Sequence, residues 1–187
     1  MPKEEIRVLG IDDTPFDKFK DKRAKIIGVL YRGGKFLDGV LSVDVDVDGT
    51  DATAKIASMV NNSKFKEQLR AILMKGIAVA GFNIIDIHEL SEKTCLPVIV
   101  VMRSPPRLKE MVSALKRLGY TEQLESLEKA GKINNAGKVL FQCAGCTEDK
   151  AASIIEVTTT HGNIPEPLRV AHLIAGGITK GESRGRA

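Results

Sequence analysis

The stretch KIIGVLYRGGKFLDGVLSVDVDVDG, residues 25–49, decides the fold. Two runs rich in β-branched residues flank Arg32-Gly33-Gly34-Lys35, and a Gly-Gly pair between such runs is a strong hairpin signal. The same geometry explains the turn without a phosphate-binding role, since the Gly-Lys-Ser/Thr ending of a phosphate loop is missing. The second run alternates: Leu41, Val43, Val45 and Val47 share one face, Ser42, Asp44, Asp46 and Asp48 the other. Upstream, IRVLGID (6–12) is a short apolar run that ends in Asp12 and Asp13 and breaks at Pro15. It reads as a buried strand delivering carboxylates at its C-terminal end.

Downstream of the third strand, residues 50–60 and 63–76 read as one or two helices, and IAVAG (77–81) as a short buried fourth strand. Residues 84–94 read as a helix, 96–102 as a strand and 105–119 as a helix opened by prolines. A helix near 121–130, a strand near 138–142 and helices near 148–158 and 166–177 follow, with a loose tail from about 180 onward. The order β-β-β-α-β-α-β predicts an α/β fold. Its sheet is mixed, with helices on both faces, and the first and fourth strands are parallel neighbours.

A chain of 187 residues, 43% hydrophobic and 28% charged, is expected to form a single domain over 1–187. Only 4% of residues are aromatic and there is no Trp, so stacking platforms for nucleic acid are scarce. The net charge of +4 permits a polyanionic partner, with basic segments at 18–25 and 180–187 as its footholds. No apolar run approaches the roughly 18 residues of a membrane span. Three cysteines, Cys95, Cys143 and Cys146, suit a reducing cytoplasm.

Chemistry is expected where acids meet strand ends: Asp12 and Asp13 after the first strand, Asp48 and Asp51 around the turn DGTDAT, and Asp86 beyond the fourth. Carboxylates gathered there repel unless a cation neutralises them, and hard oxygen ligands select Mg²⁺ or Mn²⁺. Simpler roles compete: a helix cap for Asp51, a first-turn acid for Asp86 and a solvent face for Asp44 and Asp46. Cys143-Ala-Gly-Cys146 is a lone CxxC, open to a redox role but incomplete as a metal site. In HGNIPEPLRVAH (161–172), Pro167 opens a helix that carries Arg169 and His172 on one face at i and i+3.

With these residues laid out, the sequence resembles the archaeal endonuclease dU family, which is similar to endonuclease V. The likeness covers nearly the whole chain and is anchored by LGIDD (9–13), DGTDAT (48–53), AGFNIID (80–86), LPVIVVMRSPP (96–106), GNIPEPLRVAHLIAGGI (162–178) and GESRGRA (181–187). The resemblance implies a ribonuclease-H-like fold and a metal-dependent DNA endonuclease acting at deaminated bases, chiefly deoxyuridine. Inosine-directed cleavage of DNA or RNA is the alternative within the same chemistry. It implies Mg²⁺ or Mn²⁺ held by Asp12, by Asp51 (with Asp46 or Asp48 competing), and by a third acid. Endonuclease V writes Asp-Gly at the end of its fourth strand; this chain has Ala80-Gly81 there, so the third ligand is expected at Asp86, with Asn83 beside it. His172 would assist, Arg103 and Arg169 would bind the phosphodiester, and the base-exposing wedge would fall on FLDG (36–39). A non-catalytic nucleic-acid-binding module that lost a metal ligand is the reading that Ala80 favours.

Overall fold

A computed structural model of the chain describes residues 5–183. Its main sheet contains β1 (Arg7–Asp13), β2 (Arg23–Arg32), β3 (Phe36–Asp46), β4 (Ala71–Lys75), β7 (Val98–Met102), β8 (Asn134–Ala136) and β9 (Val139–Ala144), in the order β3-β2-β1-β4-β7-β9-β8. The helices are α1 (Ala52–Asn61), α2 (Ile87–Thr94), α3 (Leu108–Leu118), α4 (Thr121–Lys129), α5 (Glu148–Thr158) and α6 (Glu166–Lys180). The sheet is mixed: β1 pairs antiparallel with β2 and parallel with β4, and β4 runs parallel to β7. The Gly-Gly hairpin forms as read, with Lys35 N donating to Arg32 O. None of the described helices is long and apolar enough to cross a membrane.

The fourth strand is not where the sequence suggested. Residues 77–81 contribute only the short first strand of a two-stranded ribbon, β5 (Ala78–Val79) with β6 (Asn83–Ile84), because Ala80 and Gly81 both turn to positive φ. The central strand is Ala71–Lys75, inside the stretch 63–76 that reads as a helix. Ala71, Ile72, Leu73 and Met74 are all fully buried. A strand covered on both faces has no alternating polar residues, so periodicity does not separate it from a buried helix turn. The preceding polar residues form only a short 3-10 turn, Lys66–Gln68. The helix read over 84–94 begins at Ile87, and α3 begins beyond Pro105 and Pro106 rather than at them.

Alternation along the central strands feeds two cores. Leu9 and Ile11 of β1 and Ile72 and Met74 of β4 face α1, α2, α3 and α4. Val8 of β1 and Ala71 and Leu73 of β4 face α5 and α6. By the same alternation Gly10, Asp12 and Lys75 belong to the α6 face, and Asp13 to the opposite one. α6 runs through Lys180, and residues 184–187 of the expected loose tail lie outside the described residues.

Candidate active site

Because β1 and β4 are parallel and Ile11 pairs with Met74, the next residues along, Asp12 and Lys75, end the two strands side by side. α6 crosses over them. Pro167 in its first turn lies so close to β1 that a Cβ on Gly10 would fall 2.5 Å from the Pro167 carbonyl carbon. Only glycine admits the helix at that distance. One and a half turns on, His172 Nδ1 lies 2.9 Å from Asp12 Oδ2. Lys75 Nζ donates to the same oxygen at 3.1 Å and lies 2.8 Å from His172 Nδ1. The Asp12 side chain is only 6% exposed, and that of Lys75 30%.

The His172 ring has two chemical options here. With a proton on Nδ1 it donates to Asp12, leaving a lone pair on Nε2. With Nδ1 accepting from Lys75, the proton sits on Nε2. In the first state Nε2 can take a proton and later give it back while Nδ1 stays anchored to Asp12; in the second Nε2 is only a hydrogen-bond donor. Beside Lys75 opens a cleft of ≈ 270 Å³ lined also by Gly76, Val101, Met102, Arg103, Ser104, Ile164 and Leu168. Arg103, expected as a phosphate ligand, thus shares a cleft with Lys75. Arg169 does not join them. Its guanidinium grips the buried Glu166 carboxylate, with Nη2 donating to Oε2 at 2.7 Å and Nε to both oxygens. That bond holds the Arg169 pKa above its ordinary value.

The three carboxylates expected to share a metal are divided by the sheet. Asp51 stands at the start of α1 without capping it. Its oxygens accept from Asp46 N and from Asn83 Nδ2 at 2.7 Å, and pair with Lys55 Nζ at 2.6 Å. Burial pushes the Asp51 carboxyl up, but Lys55, Asn83 and the Asp46 N–H outweigh it and the net shift is downward. Asp86 caps α2, accepting from His88 N and Glu89 N, and faces Lys129 at 3.7 Å. Both helices pack on the face opposite Asp12. Asn83 is fully buried and spent on Asp46 O, Asp51 and Ala52 N. Among the described residues no three His, Cys, Asp or Glu side chains gather within reach of one ion.

Asp13, on the far face, accepts from Ala80 N at 2.8 Å; burial, with Asp12 next to it, raises its pKa to about 6. Of the remaining candidates, Asp44 and Asp46 pair with Lys25 and Arg23 on the surface, and Asp48 accepts from Phe82 N. Cys143 and Cys146 are free thiols whose pKa burial pushes up, Cys146 to about 11, so neither is activated as a nucleophile. FLDG (36–39) lies at the wrong end of the sheet: Phe36 pairs with Arg32, and Arg32 with Arg7, at the start of β1 rather than its end. The aromatic that does rise from the Asp12 end is Phe19, 90% exposed, in the loop between β1 and β2. That loop is stiffened by Asp17 and Asp21, with Phe19 N donating to Asp17 Oδ1 and Asp17 N to Asp21 Oδ2.

Sequence reasoning missed Lys75. The signal was present, since AILMKG is an apolar run closed by a charge and a glycine, as LGIDD is closed by acids; the helix reading of 63–76 concealed it.

The family model described as "Endonuclease dU" matches residues 4–179. The UPF0215 protein of Methanothermobacter thermautotrophicus is 47% identical, over 99% of this chain and 93% of its own. That of Methanopyrus kandleri is 48% identical, over 97% and 95%. A crystal structure of an Archaeoglobus fulgidus protein of unknown function superimposes with a TM-score of 0.86 at 40% identity, covering 92% of this chain and 98% of that one. Endonuclease V of Ciona intestinalis, solved with a 24mer DNA containing an inosine followed by a ribo-adenosine, superimposes with a TM-score of 0.58 at 17% identity, covering 89% and 82%. The last likeness is one of fold, and it makes the mixed sheet ribonuclease-H-like. The chain belongs to the endonuclease dU family.

Proposed function

We propose that the chain is an endonuclease that hydrolyses the DNA backbone at deaminated bases, deoxyuridine foremost. The observation that carries this reading is the Asp12–His172 contact at the ends of two parallel strands, in a member of the endonuclease dU family. Asp12 anchors the imidazole through Nδ1, so Nε2 can take a proton from water and return one to the departing sugar oxygen. Arg103 in the adjoining cleft is suited to a phosphate oxygen. Phe19, among Lys18, Lys20 and Lys22, is suited to stack on a base where the strand crosses the site. Extrusion of the target is cheapest where deamination has already weakened pairing.

The Mg²⁺ or Mn²⁺ expected among Asp12, Asp51 and Asp86 does not fit these residues. Asp51 and Asp86 are each committed to a helix start on the other face, and the neighbour of Asp12 is an ammonium group. The same fact favours a second reading, a nucleic-acid-binding module without catalysis. Inosine-containing DNA or RNA is the alternative substrate, since endonuclease V of Ciona was solved on an inosine strand.

The test is nicking of an end-labelled duplex carrying one deoxyuridine, beside matched hypoxanthine and undamaged duplexes and an inosine-containing RNA. Each is incubated with Mg²⁺, Mn²⁺ or EDTA. Cutting at deoxyuridine that disappears in Asp12→Asn is the expected result. Preference for hypoxanthine or inosine would transfer the reading to the alternative, and no cutting of any strand by folded protein would leave the binding module.

A further inference from the structure

We propose that Lys75 stands in for a divalent ion: its ammonium supplies the fixed positive charge at the Asp12–His172 centre and binds the scissile phosphate directly. This rests on the nuclease reading of the same site.

Three observations carry it. The first is register. Lys75 ends β4 beside Asp12 on the same face of the sheet, so a cation supplied by the chain sits 3.1 Å from the buried carboxylate, next to the imidazole at 2.9 Å. The second is valence. An ammonium has three hydrogens; Asp12 Oδ2 and His172 Nδ1 engage at most two, so one remains for a ligand. The third is access. Lys75 is the more exposed partner of the pair and lines the cleft that Arg103 and Gly76 also line. Gly76, at φ +79°, would have nothing within 4 Å of a Cβ, so the backbone beside Lys75 is open to approach.

Charge favours an anion over a second cation. Asp12 and Lys75 cancel, and Arg103 leaves the cleft positive, which suits the single charge of a phosphodiester. A divalent ion at Asp12 would sit against the ammonium and be repelled. In the hydrolysis, the water oxygen forms the new bond to phosphorus and its proton passes to His172. The phosphorus–sugar oxygen bond breaks with its electron pair on the oxygen, and that oxygen receives the proton. Lys75 hydrogen-bonds a non-bridging oxygen throughout and neutralises charge as it builds there.

The proposal is tested on the full chain by Mn²⁺ titration calorimetry, by the thermal midpoint with and without Mn²⁺, and by fluorescence anisotropy with a deoxyuridine-containing oligonucleotide. Wild type is expected to bind Mn²⁺ no better than Asp12→Asn does and to keep its midpoint unchanged. Lys75→Asp creates a pair of carboxylates, and should gain Mn²⁺ affinity of about 10-fold or more and a midpoint that rises with Mn²⁺. Both gains should vanish in Lys75→Asp combined with Asp12→Asn. Lys75→Met should weaken the oligonucleotide about 10-fold in EDTA, and Lys75→Arg, which keeps the charge, should restore most of it.

Stoichiometric Mn²⁺ binding by wild type that requires Asp12 would overturn the proposal, as would unchanged oligonucleotide affinity in a folded Lys75→Met. The two levels fail separately. Cutting that needs metal keeps the nuclease and removes this role for Lys75. Lys75-dependent binding without cutting keeps the phosphate contact and removes the nuclease.

Discussion

Gly10→Ala should disable the site without touching any of its side chains. The added Cβ would lie 2.5 Å from the Pro167 carbonyl carbon and 2.6 Å from both its Cβ and its oxygen. Carbon atoms in contact settle at about 3.5–4.0 Å, so α6 must retreat from β1 by about 1 Å. Two of the three clashing atoms are backbone, and no rotamer change relieves them. The same retreat stretches the 2.9 Å contact between His172 Nδ1 and Asp12 Oδ2 to nearly 4 Å, beyond hydrogen bonding. Overpacking of this kind costs about 1–3 kcal/mol of stability, and a 1 Å misplacement of a reacting group about 10²-fold in rate. Gly28→Ala is the control. Its Cβ would meet the flexible ends of Leu9 and Met59 at 3.3 Å each and the Leu41 Cβ at an ordinary contact distance of 3.5 Å, within the core of the other face. Single-turnover nicking of the deoxyuridine strand and thermal melts read both effects, and the ¹⁵N signals of His172 report the lost anchor independently of activity. A Gly10→Ala protein with the wild-type midpoint, rate and His172 signals would refute the reasoning, as would equal losses in Gly28→Ala.

Asp13→Asn should stabilise the protein in a pH-dependent way. The folded-state pKa, about 6, lies above the ordinary 3.8, so the folded chain holds its proton longer than the unfolded one. Stability from this group is full below about pH 4, falls as pH rises through 6 and stays lower above. The amide keeps an acceptor for Ala80 N, so the variant should gain roughly 1–3 kcal/mol at pH 8 and almost nothing at pH 4, read by urea midpoints; a constant difference at both pH values would sink the idea. Cys95, the αL residue after α2 at φ +53°, should be better as glycine: Cys95→Gly is expected to add about 0.5–1 kcal/mol in urea unfolding, and a loss would mean the strain is not there. Phe19→Ala should weaken oligonucleotide binding by about 1–3 kcal/mol and leave the thermal midpoint unchanged, since so exposed a ring supports nothing in the fold. Unchanged affinity by anisotropy would remove Phe19 from the interface.

Much of the fold was legible because its first half carries strong local signals. The Gly-Gly turn and the alternation from Leu41 to Val47 specify an edge hairpin whose polar face meets water, and period two survives in such a strand. β4 was not legible for the opposite reason. It is buried on both faces, so its sequence records hydrophobicity and no period, and the adjoining KFKEQ supplied a helical pattern by accident. That single misreading propagated into the site. With the fourth strand taken as IAVAG, its end fell on Ala80-Gly81 and the missing carboxylate was sought at Asp86; with the strand at Ala71–Lys75, its end is Lys75-Gly76. Asp12 and His172 were legible because each closes a strong local pattern, a strand end and a proline-opened helix. Arg169 was on the right face of that helix by spacing, yet Glu166, also at i,i+3, takes it first.

Five of the carboxylates singled out in the sequence have a cation supplied by the chain, whereas Asp13 and Asp48 are held by the backbone N–H groups of Ala80 and Phe82. Asp12 has Lys75, Asp44 has Lys25, Asp46 has Arg23, Asp51 has Lys55 and Asp86 has Lys129. These pairs are not equivalent. The Asp44 and Asp46 pairs are open to water, where ion pairs contribute about 0–1 kcal/mol and are screened by salt. The Asp51 and Asp86 carboxylates are tied in addition to backbone N–H groups of Asp46, His88 and Glu89, which fixes them as parts of the turns that start α1 and α2. Of these five, Asp12 alone is a nearly buried carboxylate bound to a half-exposed ammonium and an imidazole at once. There the low local dielectric strengthens every interaction, and on the proposed reading an incoming phosphate would meet a positive charge that burial of Asp12 holds in place. Burial of the carboxylate, more than the presence of a cation, sets the Asp12 pair apart from the other four.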